Sequence, residues 1–135
     1  MTGLGTFGPS FKAGGNILPS IFVKISTTAD DTVLACVAGD DPFGISQEGV
    51  DQPPGVAGSD GNAGRAGENM KVYGPGSQCL ITLGTGGCAR GDYLKPDAAG
   101  NGVTASTAAD KYGAQALEIG AAGEKILVVV IKGKI

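Results

Sequence analysis

The sequence of 135 residues has no histidine and no tryptophan, and only 5% of its residues are aromatic. The absence of histidine removes the side chain that most often serves as a general base near neutral pH. Ten basic residues face 13 acidic ones, for a formal net charge of −3. This balance argues against nucleic acid or an anionic membrane as a partner, because both require clustered cations. We therefore expect a non-catalytic protein that needs no cofactor and binds neither nucleic acid nor membrane.

Cysteine is also scarce, and Cys36, Cys79 and Cys88 are odd in number and lack a C-x-x-C spacing. This pattern favours small buried thiols in a reducing compartment over a metal site or a disulfide framework. The longest apolar run, residues 126–131, is far shorter than the roughly 20 residues that a membrane helix needs. Met1 is not followed by the basic and apolar regions of a signal peptide. We expect a soluble chain.

Glycine, in contrast, is abundant, with 25 Gly and seven Pro spread between short β-branched runs. In residues 21–25, for example, Ile21, Val23 and Ile25 would share one face of a strand. No window keeps a helical period over three turns. The sequence therefore predicts one all-β domain over residues 21–135, a compact β-sandwich or barrel of about eight to ten short strands, with a long Gly/Pro surface loop at 49–66. The predicted strands are 21–25, 32–37, 43–47, 69–73, 78–83, 92–95, 102–105, 112–118 and 125–132.

A weak internal repeat supports this prediction. Residues 41–47 (DPFGISQ) recur as residues 110–116 (DKYGAQA), an offset of 69 between Gly44 and Gly113. Residues 66–72 (AGENMKV) recur as residues 122–128 (AGEKILV), an offset of 56 between Glu68 and Glu124. Each copy reads as strand, loop, Gly-Glu turn and strand, so the repeat predicts two stacked β-units.

The first 20 residues combine Gly and Pro with large apolar side chains. Such a segment has little tendency to form a helix, and each proline removes a donor from a strand ladder. We predict an extended N-terminal arm over residues 1–20 that lies across another protein surface. The alternative is that the arm folds back onto its own core. The predicted partner-binding anchors are Phe7, Pro9, Phe11, Ile17, Leu18 and Pro19.

Residues 126–131 (ILVVVI) are apolar without alternation, which indicates a strand covered on both faces. Such a strand is either central within the subunit or part of a subunit–subunit interface. In the second case Ile126, Val128 and Val130 are the candidate interface residues.

Several short motifs, taken in order, resemble the capsid decoration (cement) proteins, a family of small head proteins of tailed bacteriophages. The motifs are Phe7-Gly8-Pro9, Gly14-Gly15-Asn16-Ile17, Pro19-Ser20, Phe22-Val23-Lys24, and residues 43–49 (FGISQEG), 72–76 (VYGPG), 91–95 (GDYLK), 111–114 (KYGA) and 123–126 (GEKI).

The resemblance implies a virion protein that assembles in the host cytoplasm onto the exterior of the capsid. There it would bind the major capsid protein, commonly as a homotrimer, and clamp neighbouring subunits against internal DNA pressure. Identical weak contacts held in register by symmetry give large avidity, and β-augmentation along residues 4–20 would add main-chain hydrogen bonds. Two alternatives stay open: another virion β-module, such as a head-fibre or tail component, or a small ligand-binding or carrier β-barrel.

Overall fold

The computed structural model describes residues 10–46 and 69–135. Every regular element within these ranges is a β-strand, which confirms the predicted all-β fold. The strands are β1 (Ser10–Ala13), β2 (Phe22–Ile25), β3 (Thr32–Ala35), β4 (Gly44–Ser46), β5 (Asn69–Tyr73), β6 (Gln78–Thr82), β7 (Tyr93–Pro96), β8 (Gly102–Thr104), β9 (Lys111–Ala116) and β10 (Lys125–Lys134).

Strands β1 to β5 form a closed barrel in the order β1-β3-β2-β4-β5, with β5 pairing back onto β1. We call it the first barrel. The β1–β3 pair is parallel, and the other four pairs are antiparallel. Closure gives each of these five strands a partner on both sides, so the first barrel has no free edge strand.

Strands β6 to β10 form a second sheet in the order β6-β10-β9-β7-β8. Its outer strands approach each other, because an isolated parallel bridge joins Leu83 to Gly102. The Gly84 amide donates to the Gly102 carbonyl at 2.8 Å beside this bridge. The second sheet is therefore nearly closed as well.

The second sheet repeats the first barrel strand for strand. If β6 to β10 are matched in order with β1 to β5, all four of its antiparallel pairs have a counterpart in the first barrel. The parallel Leu83–Gly102 bridge corresponds to the parallel β1–β3 pair. Phe11 lies opposite Met70, and Ile81 lies opposite Ile126 in the same way. The fold is a tandem duplication of one five-stranded unit.

The registers refine the repeat found in the sequence. Ser46 pairs with Val72 in the first barrel, and Ala116 pairs with Val128 in the second sheet. The offset between Val72 and Val128 is 56, as the sequence predicted. The offset between Ser46 and Ala116 is 70, one residue more than the 69 read from the glycines.

Two clusters of buried side chains fill the molecule. One lies in the first barrel, and the other joins the second sheet to residues of β2, β4 and the end of β3, so the two halves share a core. The first cluster is Ala13, Ile17, Ile21, Val23, Val33, Met70 and Val72. The second is Phe22, Cys36, Ile45, Cys79, Ile81, Leu83, Leu94, Ala114, Ala116, Ile126, Val128 and Val130.

The packing of residues 10–17 differs from the prediction that residues 1–20 form an arm lying across another protein. Strand β1 pairs with β3 on one side and β5 on the other, so it has no edge to offer to a second chain. Ile17 is 1% exposed within the first barrel. Residues 10–17 thus belong to the β domain. Their apolar side chains can be buried within the same chain despite the Gly and Pro around them. Residues 1–9 and the predicted 49–66 loop lie outside the described residues, and there the prediction stands as made.

Candidate functional site

The predicted anchors fall in very different environments. Phe7 and Pro9 lie outside the described residues. Phe11 is half-buried and meets the ring of Phe43 edge-on, with 5.5 Å between ring centroids.

Ile17 is part of the first barrel's core and cannot contact another chain in this fold. Pro19 is half-buried, and Leu18 between them is 54% exposed. Among the predicted anchors that the structure describes, Leu18 is therefore the one presented to solvent.

The backbone around Leu18 is held firmly by Ser46 of β4. The Ser46 hydroxyl donates to the Leu18 carbonyl at 2.8 Å and accepts from the Ile21 amide at 3.1 Å. Ser46 itself is fully buried, so the hydrogen bond with Ile21 is shielded from water, and the one with Leu18 is partly shielded. An exposed apolar side chain on a fixed backbone suits recognition, because little conformational entropy remains to be lost on binding.

The candidate interface residues of β10 face the interior of the subunit. Ile126, Val128 and Val130 are at most 3% exposed and belong to the second core. Of the two alternatives predicted for this strand, their burial agrees with a position within the subunit and not with an interface: successive side chains of a strand point to opposite faces, and these three point inward.

The alternate residues of β10 are the ones that reach the outside. Leu127, Val129 and Ile131 are half-buried on the outer face of the second sheet. Leu80 of β6, also half-buried, lies directly opposite Leu127. We call these four residues the outer stripe. The sequence could not indicate which alternate residues of β10 face inward, because the run 126–131 is apolar throughout.

A cleft of about 270 Å³ lies between two equivalent turns of the duplicated halves. In the first turn, Asp40 accepts from the Val37 amide at 2.9 Å and pairs with Lys24 at 2.8 Å. In the second, Asp110 repeats both interactions with Thr107 and Lys95, at 3.0 and 2.9 Å. The cleft is lined by Ala38, Gly39, Asp40, Lys95, Pro96, Ala109, Asp110 and Lys111.

The electrostatics of this cleft are balanced internally. The hydrogen bond from Lys24 lowers the pKa of Asp40, and the hydrogen bond from Lys95 lowers the pKa of Asp110. Both carboxylates are therefore ionised at neutral pH and engaged with partners. Asp41, the other member of the Asp40/Asp41 pair in the sequence, lies 3.8 Å from Lys132 in an exposed ion pair. These contacts give the acidic residues a structural role.

The three cysteines are free thiols. Burial raises the pKa of Cys36 to about 12 and also raises the pKa of the half-buried Cys88. Both thiols therefore stay protonated and weakly nucleophilic at neutral pH. Within residues 10–46 and 69–135, no group of three or more His, Cys, Asp or Glu side chains could hold a metal ion. The same ranges contain no helix of the length and apolarity that crossing a membrane requires.

No protein-family model matches this chain, and no curated protein sequence matches it. Among solved structures, it is similar to the N base of the head fibre protein gp8.5 of bacteriophage phi29, with a TM-score of 0.67 at 15% sequence identity. The alignment covers 95% of this chain and 96% of the phage protein chain. At this identity the likeness shows a shared fold, and its coverage extends that fold over both duplicated halves.

Proposed function

We propose that this chain is a structural, non-catalytic protein of a tailed-phage virion that lies on the exterior of the head. The observation that carries the proposal is the fold likeness to the phi29 head-fibre N base along almost the whole of both chains. The motifs that resemble capsid decoration proteins support the same location independently. A closed barrel joined to a nearly closed sheet, with few free strand edges among the described residues, is also a suitable static building block for a particle surface.

Two roles on the head fit this location. As a decoration protein, the chain clamps neighbouring major capsid subunits against the pressure of packaged DNA. As a fibre base, it attaches a projecting fibre to the head. The fold likeness favours the fibre base, and the sequence motifs favour the decoration role.

Attachment to the major capsid protein is assigned to Leu18 and to the preceding residues 1–9, which include Phe7 and Pro9. Leu18 is exposed, and its backbone is already fixed by Ser46. The outer stripe is assigned to contact between copies of the chain, as a homo-oligomer and preferably a trimer. Half-buried apolar side chains on a sheet face gain free energy when a second copy covers them.

The test is co-sedimentation of purified protein with expanded phage heads that lack it. Leu18→Asp should weaken binding by roughly tenfold or more, since burying a leucine is worth about 1.5–3 kcal/mol. Ile25→Asp is the matched control, because Ile25 is 45% exposed and lies outside the proposed contact. Failure of the wild-type chain to sediment with heads would overturn the proposal.

Two measurements on particles that carry the chain distinguish the two roles. A decoration protein should raise the temperature at which DNA-filled heads rupture, in proportion to occupancy. A fibre base should leave that temperature unchanged and appear beneath a projecting density in cryo-electron images. The two readouts together decide between the roles.

A further inference from the structure

We infer that residues 20–22 form a shared segment that belongs to both halves of the fold and makes them open together. The inference rests on hydrogen bonds and packing inside the chain, so it is independent of the proposed function. The two halves look like separate modules, but both are held together by contacts with the same three residues.

The backbone hydrogen bonds of the shared segment are divided between the two halves. The Ser20 carbonyl accepts from the Thr82 amide of β6, and the Phe22 amide donates to the Gly100 carbonyl just before β8, both at 2.8 Å. The segment thereby spans the two outer strands of the second sheet.

Two carbonyls of the shared segment bind the first barrel. The Ile21 carbonyl accepts from the Ser46 amide at 2.9 Å, and the Phe22 carbonyl accepts from the Cys36 amide at 3.0 Å. The segment is therefore also an internal part of the first barrel.

The side chains are divided in the same way. Ile21 packs in the first core, and Phe22 packs in the second. The Phe22 ring lies so close to Gly113 of β9 that a Cβ there would come within 2.9 Å of it. A displacement of this segment thus removes contacts from both cores at once.

The conformation of the segment is imposed by its surroundings. Ser20 is fully buried and has a φ of 58°, in the left-handed region that non-glycine residues rarely adopt. Such a conformation persists only where surrounding contacts determine it. The Ser46 hydroxyl, bonded to Leu18 and Ile21, supplies part of that restraint from the first barrel.

The test is amide hydrogen exchange on the full-length chain with Ser46→Ala. Removing the hydroxyl deprives the buried Ile21 amide and the partly buried Leu18 carbonyl of a partner, which we expect to speed exchange of the Cys36 amide roughly tenfold. Because the segment is shared, the Thr82 amide in the second sheet should speed up by a similar factor. Acceleration at Cys36 without acceleration at Thr82 would overturn the inference.

Ser26→Ala is the matched control. Like that of Ser46, its hydroxyl binds two backbone groups: it accepts from the amides of Thr28 and Ala29 at 3.2 Å, but in the exposed β2–β3 turn. We expect exchange at Thr82 to change less than about twofold in this variant, because exposed hydrogen bonds are readily replaced by water. An equal effect of both variants on Thr82 would contradict a specific role for the shared segment.

A second measurement on the wild-type chain covers the case in which Ser46→Ala does not fold. With increasing low concentrations of denaturant, exchange of the Cys36 and Thr82 amides should converge on one unfolding isotherm. Separate isotherms for the two amides, with Thr82 opening at lower denaturant, would show two independent modules and sink the inference.

Discussion

Ala109 occupies in the second half of the chain the position that Gly39 occupies in the first. Both residues have a left-handed backbone, with φ of 75° and 89°. Each precedes the aspartate that pairs with a lysine of a neighbouring strand, Asp110 with Lys95 and Asp40 with Lys24. The two equivalent turns thus share one geometry, although only the first contains glycine at this position.

This relationship predicts opposite effects for two reciprocal substitutions. Ala109→Gly should raise the free energy of unfolding by about 0.5–1 kcal/mol, because relief of the left-handed Cβ strain exceeds the entropy gained by the unfolded chain. Gly39→Ala should lower it by about 1 kcal/mol through the same strain. A Cβ at Gly39 would meet no atom within 4 Å, so the backbone alone decides the outcome. Urea denaturation measures the change in the free energy of unfolding for each variant. Changes of the same sign would contradict the prediction.

The contact between β9 and the first half gives a second prediction. A Cβ on Gly113 would lie 2.6 Å from Cγ of Pro42 and 2.9 Å from Cε1 of Phe22. Gly113→Ala should therefore cost about 1–3 kcal/mol by overpacking the shared core. Gly15→Ala is the control, since nothing lies within 4 Å of its Cβ position. The midpoint of urea unfolding should fall for the first variant and stay nearly constant for the second.

The two lysine–aspartate pairs predict how stability depends on pH. The pKa values of Asp40 and Asp110 are lowered in the folded state by hydrogen bonds from Lys24 and Lys95. A group whose folded pKa lies below its unfolded value stabilises the fold above the unfolded pKa, about 3.9 for aspartate, and this contribution is lost as pH falls through the folded value.

Unfolding measured between pH 7 and pH 2.5 should thus show a loss of stability in acid that becomes smaller in Asp40→Asn and in Asp110→Asn. Asp41→Asn is the control, because Asp41 forms an exposed ion pair at 3.8 Å that should contribute little. An unchanged acid dependence in both asparagine variants would show that these pairs do not govern it.

Much of the fold was predictable because period-two apolar patterns and turn residues determine strands locally. The prediction of residues 69–73 coincides with β5, and the other predicted strands differ from the observed ones by a few residues at their ends. Strand β1 was missed, since its four residues sit among Gly and Pro and are stabilised by partners from β3 and β5 that are distant in sequence. Local pattern cannot reveal such pairing.

The sequence showed part of the duplication, but some equivalent positions are occupied by different residue types in the two halves. Ser20, Asp31 and Ala109 have positive φ, and their counterparts in the other half are Gly91, Gly100 and Gly39. A sequence comparison scores these pairs as mismatches, although both members of each pair have a positive φ. The inward face of β10 was likewise undetermined, because Ile, Leu and Val follow one another there without a polar marker.

The outer stripe gives a last prediction, which rests on the proposed oligomer. Val129 is half-buried on the outer face of β10, and its neighbour Val128 is fully buried in the second core. Val129→Asp should leave the monomer folded and reduce the oligomer mass seen by light scattering, since a charge cannot be buried between copies without a partner. Val128→Asp should instead unfold the chain, as circular dichroism would show. If Val129→Asp keeps the wild-type oligomer mass, or if the wild-type chain is a monomer both in solution and on heads, copies of this chain do not meet through this face.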